Sequence, residues 1–136
     1  MVTTEKAELI SILNEAISAE YGALFLLPQH IAQIEDEETK RQLRLIQDVE
    51  LEHAEKTAQM IYQLGAEPKA DLPQLRPRSA IREILEAHVE GEKRAIDIYA
   101  RAEARAQDPS MKKMLAELRK EEEGHLRLLE RTLERV

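Results

Sequence analysis

Apolar residues recur along this chain at alternating steps of three and four, the spacing of a helix that buries one face, over four long segments. The inward positions of the first segment are Leu9, Leu13, Ala16, Glu20, Leu24, Leu27 and Ile31; those of the second are Leu43, Ile46, Glu50, His53, Thr57, Met60 and Leu64. The third reads Ile81, Leu85, His88, Glu92, Ile96, Tyr99, and the fourth Leu115, Leu118, Glu122, His125, Leu129. Breakers set the ends. Glu35-Asp36-Glu37 interrupts the first periodic run, the stretch from Gly65 to Arg78 holds Pro68, Pro73 and Pro77, and Asp108-Pro109 reads as an N-cap followed by a first-turn proline. Helices are therefore predicted over 5–34, 37–64, 79–106 and 109–135. Ser79 should cap the third, Gly65 should close the second, and Pro28 should bend the first.

Connection lengths turn these helices into a topology. The first and last connections need only a few residues, so each joins an antiparallel hairpin. The middle connection of about 14 residues reaches about 46 Å when extended, while a helix of about 27 residues is about 40 Å long, so it can run the length of the bundle. The expected fold is all-α: one domain, residues 1–136, forming a four-helix bundle of two hairpins joined by a long crossover.

The hairpins also repeat one another at an offset of 72 residues. Ile12-Leu13 matches Ile84-Leu85, Glu20 matches Glu92, Ala23-Leu24 matches Ala95-Ile96, Glu50 matches Glu122, and His53 matches His125. Shared amphipathic periodicity explains the apolar matches. It does not explain three polar ones in register, which point to duplication or imposed pseudo-symmetry.

Each helix thus places one glutamate where the pattern calls for an apolar side chain. Glu20 lies about 14 residues before the first turn and Glu50 about 13 after it, so at about 1.5 Å per residue both stand about 20 Å from that turn. Glu92 and Glu122 stand at matching distances from the second turn. Four carboxylates and two imidazoles should therefore converge at mid-height. Four like charges cannot be buried together unless they are protonated or face cations, and two divalent ions supply the balancing charge. Carboxylate oxygens mixed with imidazole nitrogens suit iron or manganese. The rival is a buried carboxylate–histidine network without metal.

Composition narrows the choice. There is no cysteine, which removes zinc fingers, iron–sulfur clusters and thiol catalysis. The net charge of −7 argues against a nucleic-acid partner, and four metal-neutralised glutamates would leave about −3 on the surface. No uninterrupted apolar run approaches the roughly 18 residues of a membrane span, and the N-terminus shows no signal pattern, so a cytoplasmic protein is expected.

Glu20, Glu50-Leu51-Glu52-His53, Glu92 and Glu122-Glu123-Gly124-His125 resemble the ligand pattern of the ferritin-like superfamily. The stretch from Glu50 through Pro68 is most similar to bacterioferritin. That resemblance implies that Glu50 and Glu122 bridge two iron ions, with Glu20 and His53 completing one shell and Glu92 and His125 the other. It implies handling of Fe(II) with dioxygen or peroxide, and a homo-oligomer. Leu51 stands where bacterioferritin has its haem-ligating methionine, so haem is not expected. The short fifth helix that ferritin cages use does not follow within these 136 residues, so the resemblance leaves a 24-subunit shell open and implies a dimer or larger. The additional helix 3 carboxylate of rubrerythrins is Ala95 here, and their cysteine-bearing domain is absent; recycling iron would need an external electron donor.

Tyr99 and His88, on the inward stripe of the third helix, are the candidate catalytic side chains beside the metals. A buried aromatic and a satisfied core histidine are the plainer alternatives. Tyr21 and His30 fall off the stripe. Gly22, Gly91 and Gly124 each lie within two residues of a proposed ligand, where they should allow close packing or a local bulge. Three functions remain open: a ferroxidase, a di-metal oxidase or peroxide reductase with a pocket lined by Leu24, Leu27, Tyr99 and His88, and a bundle that binds metal only for stability.

Overall fold

A computed structural model describes residues 3–72 and 74–136, which leaves Pro73 of the crossover outside the described residues. Four helices account for most of the chain: α1 (Thr4–Gln33), α2 (Glu37–Gln63), α3 (Ile81–Arg105) and α4 (Pro109–Arg135). Side chains cap three of them. Thr3 accepts from Lys6 N–H at 3.1 Å, Asp36 from Thr39 N–H at 3.0 Å, and Asp108 from Met111 N–H at 3.1 Å. The expected Ser79 cap of α3 is not formed. The helix starts two residues later and its cap position is Ala80, which has no side-chain acceptor. Gly65 closes α2 as expected, at φ +83°: its N–H reaches Tyr62 O at 2.9 Å and Ala66 N–H reaches Ile61 O at 3.1 Å, the paired bonds of a Schellman turn. α1 runs through Pro28 as helix, with Gln29 Nε2 donating to Phe25 O at 3.1 Å just before it.

The chain passes up α1, down α2, back up through the crossover, then down α3 and up α4. The crossover is fastened to α1 from Asn14 to His30. Lys69 N–H donates to Asn14 Oδ1 at 2.8 Å, Asp71 N–H to Ser18 Oγ at 2.8 Å, and Arg78 N–H to His30 Nε2 at 2.9 Å. Ion pairs of Glu15 with Arg101 and of Glu8 with Arg105 hold α3 antiparallel to α1, and Arg135 ties the end of α4 to Asp36 at 2.9 Å.

The buried apolar residues fall into two groups. One, around Leu13, Ile17, Met60, Ile98, Leu115 and Leu118, fills the end of the bundle near the start of α1. The other, around Leu27, Ile31, Leu43, Ile84, Leu85 and Leu129, fills the opposite end. Between them lies a layer of buried polar side chains. The buried face of α3 is wider than the single stripe expected. Ile84, Val89, Ala95 and Ile98 are buried while Ile81 and Ile96 are half-buried, because α3 packs on both α1 and α4. Leu24 and Leu64 are likewise half-buried.

The expectation that no segment could span a bilayer needs correcting for α1. An 18-residue window there has a mean hydropathy of 1.3, enough by length and composition alone. Counting uninterrupted apolar runs misses it because Asn14, Glu15 and Glu20 break the run without lowering the average enough. In the fold α1 packs against α2 and α3 and turns Glu20 inward.

Leu13 and Leu85, both fully buried, belong to different ends of the core. Leu13→Ala and Leu85→Ala should each cost about 2–5 kcal/mol in urea unfolding, whereas Leu72→Ala, at a site 47% exposed, should stay within about 0.5 kcal/mol.

Candidate metal centre

The polar layer consists of Glu20 from α1, Glu50 and His53 from α2, Glu92 from α3, and Glu122 and His125 from α4. Glutamate three residues before histidine puts both side chains of a pair on one helix face. Both imidazoles aim Nδ1 inward. His53 Nδ1 lies 3.0 Å from Glu122 Oε1 and 3.7 Å from Glu50 Oε1. His125 Nδ1 lies 3.2 Å from Glu50 Oε1, 3.3 Å from Glu122 Oε1 and 3.8 Å from Glu92 Oε1. The two rings are nearly parallel, at 21° with centroids 6.2 Å apart. The donor atoms form two overlapping groups, each within 4.8 Å: Glu20, Glu50, His53 and Glu122, and Glu50, Glu92, Glu122 and His125. All six sequence candidates thus meet, and Glu50 and Glu122 belong to both groups.

Electrostatics show how unusual the layer is. Burial, reinforced by the neighbouring carboxylates, pushes Glu20 well above the usual carboxylate range. Burial likewise takes Glu92 up to about 9 and Glu122 up to about 8. Desolvation alone would lower His125, but the surrounding Glu122, Glu50 and Glu92 push it up to about 12. Close approach does not satisfy these groups. Among the described residues, the buried side-chain polar atoms without a hydrogen-bond partner are Glu20 Oε2, Glu50 Oε1, His53 Nδ1, Glu92 Oε2, both Glu122 oxygens and His125 Nδ1. Every one belongs to this layer. Orphaned buried acceptors are costly, and a set of them converging on two points is a donor set suited to two cations.

Tyr99 touches the layer directly. Its hydroxyl donates to Glu20 Oε1 at 3.2 Å and lies 3.1 Å from Thr57 Oγ1, which explains the threonine at an otherwise apolar position. His88 makes a different contact: its Nε2 lies 2.8 Å from Nδ1 of His30. His30 is fully buried, contrary to the expectation that it falls off the inward face, because the end of the crossover covers it. Burial drives both rings toward the neutral form, His88 down to about 4. The polarity of the pair then follows. A backbone N–H only donates, so His30 Nε2 accepts from Arg78, His30 Nδ1 carries the proton, and His88 Nε2 accepts it. Sequence reasoning also missed Glu121, whose Oε2 lies 2.8 Å from His53 Nε2; inside an acidic run nothing marks it out.

A cavity of about 400 Å³ opens between α1 and α3 under the crossover and reaches Glu20, Glu50 and Glu92. Six of its wall residues have no side chain beyond Cβ, Ala19, Gly22, Ala23, Ala87, Gly91 and Ala95, and stand beside larger ones such as Leu26, Leu75 and Ile98. Of the four lining residues expected, only His88 is present; Leu27 and Tyr99 are packed into the apolar ends instead. The glycines do not serve close packing. A Cβ at Gly22 would sit 3.8 Å from Leu75, and one at Gly91 or Gly124 would sit 3.9 Å from an arginine tip, so Gly22 and Gly91 leave the cavity open.

This arrangement has close structural parallels. A ferritin-like, diiron-carboxylate protein from Bacillus anthracis is 25% identical with a TM-score of 0.86, over 97% of this chain and 99% of that one. The Desulfovibrio desulfuricans bacterioferritin, whose diiron site is known in different catalytic states, is 26% identical with a TM-score of 0.85, over 96% of this chain and 80% of its own. The Rhodobacter capsulatus bacterioferritin, with a metal-free dinuclear site and a heme iron, is 29% identical with a TM-score of 0.85, over 98% and 87%. None of the curated proteins compared by sequence matches. The profile of the ferritin-like domain matches residues 10–136, nearly the whole chain, and the protein belongs to the ferritin-like family.

Proposed function

We propose that this protein is a di-iron carboxylate protein that takes up two Fe(II) ions at mid-bundle and oxidises them with dioxygen or peroxide. The observation that carries this reading is the confinement of the unpartnered buried polar atoms to Glu20, Glu50, His53, Glu92, Glu122 and His125. The diiron sites of its structural relatives support it. Glu50 and Glu122, common to both groups of donors, would bridge the ions; Glu20 and His53 would complete one shell, Glu92 and His125 the other. Two iron ions bound there supply the two electrons that reduce dioxygen to hydrogen peroxide or peroxide to water. The protein's share is to present deprotonated carboxylates, hold Glu20 through Tyr99, and close the bundle on either side of the layer with the apolar ends. Haem is no part of this reading: Leu51, directly after Glu50, offers no ligand atom.

The cavity favours a second reading of the same site, a di-metal oxidase or peroxide reductase fed by an external electron donor, because it leaves room beside the carboxylates for a small substrate. We further propose a homo-oligomer. Tyr21 and Phe25 on α1, and Leu45 and Leu51 on α2, stand at matching heights with 41–52% of their surface exposed.

Glu50→Ala and Glu122→Ala each remove a donor from both groups. Either should abolish two-ion binding in metal analysis and slow Fe(II) oxidation in stopped flow by more than the roughly 10–100-fold that follows loss of an outer-sphere partner. Unchanged kinetics in both would sink the proposal. Sedimentation of the native chain should give a species larger than 15.6 kDa.

Metal and pH should act on stability together. Glu92, Glu122 and His125 hold protons more tightly folded than unfolded, so their contribution is full at low pH and is lost as pH rises through about 8 and above. His30 and His88 act oppositely, but only below their unfolded value of about 6.5. Between pH 7 and pH 9 the thermal midpoint of the metal-free chain should therefore fall. Mn(II)-loaded protein, whose metal displaces those protons, should not show that fall.

A further inference from the structure

The internal repeat makes the two halves of the centre comparable residue by residue, and the comparison fails at two outer positions. Advancing by 72 residues takes Glu20 to Glu92, Glu50 to Glu122 and His53 to His125, so the inner donors of the halves are equivalent. Glu121, which holds His53, has Val49 as its counterpart; Tyr99, which holds Glu20, has Leu27. Neither counterpart can hydrogen-bond through its side chain. Both outer bonds therefore fall on the Glu20–His53 half.

The consequence for His53 is specific. A carboxylate accepts, so the 2.8 Å contact between Glu121 Oε2 and His53 Nε2 places the ring proton on Nε2 and leaves the Nδ1 lone pair facing Glu122 at 3.0 Å. An acceptor on the far nitrogen fixes the ring, selects the binding tautomer and makes the ligand more basic. His125 points Nδ1 inward in the same way, but its contacts among the described residues are all at that atom. It is also 13% exposed, whereas His53 is fully buried. We propose that Glu121 is a positioning residue that makes the two metal positions unequal, so that the first divalent ion binds on the Glu20–His53 side. This rests on the two-ion reading above.

The test uses the full chain, Mn(II) titration calorimetry without oxidant, and nitrogen-15 NMR of the histidine rings in metal-free protein. Wild type should bind two ions in resolved steps, with His53 as the Nε2–H tautomer. Glu121→Ala should weaken the first step by about 10–100-fold and release the tautomer preference, and Glu121→Gln, which keeps a neutral acceptor, should fall between. Val49→Glu, at a half-buried site, should tighten the second step. Two equal steps in wild type, a first step unchanged in Glu121→Ala, or an Nδ1–H tautomer at His53 would each overturn the proposal while leaving a two-ion site intact. Failure to bind two ions at all would remove the site reading and this one with it.

Discussion

Four carboxylates in the middle of an apolar bundle are the constraint on which the rest of this structure depends. Each brings a desolvation cost and repels the others, and hydrophobic packing cannot offset that locally because the layer displaces packing. The chain responds by concentrating its apolar contacts at the two ends, around Leu13 and Leu115 at one and Leu85 and Leu129 at the other. Raised carboxyl values at Glu20, Glu92 and Glu122 are the signature of a layer that accepts protons when nothing else neutralises it. Cations in the same place would exchange with those protons, which ties occupancy of the centre to pH.

The crossover adds a second demand. It must bring α3 back to the end of α1 at a register that puts Glu92 level with Glu20. Its fastenings at Asn14, Ser18 and His30 follow α1 from its middle to its last turn, so the register does not depend on helix packing alone. The His30–His88 pair closes that strap: one ring receives the crossover backbone, the other stands at the cavity, and burial keeps both neutral.

Much of this was legible in the chain because helices announce themselves by period and cap. Asp108 caps as read, Gly65 closes α2, and the six inward polar residues stand out against an apolar stripe of known spacing. What escaped notice depends on a third dimension that period does not carry. His30 is buried by a loop whose path cannot be read from its prolines. Glu121 sits in a run of acidic residues that look alike until one meets His53, and Asn14 and Ser18 are ordinary polar positions until the crossover backbone reaches them. The cavity was misjudged for a related reason: Leu27 and Tyr99 were expected around it and fill the ends instead, while Leu26, Leu75 and Ile98 line it.

The small walls of that cavity separate two properties that usually constrain each other. Ala19, Gly22, Ala23, Ala87, Gly91 and Ala95 carry no functional group, yet they line the way to the carboxylates. A Cβ at Gly22 or Gly91 meets only ordinary contact distances, so the backbone tolerates a narrower opening. A methyl group added at Gly22 or Gly91 would narrow the way to the carboxylates without touching any of the six donor side chains.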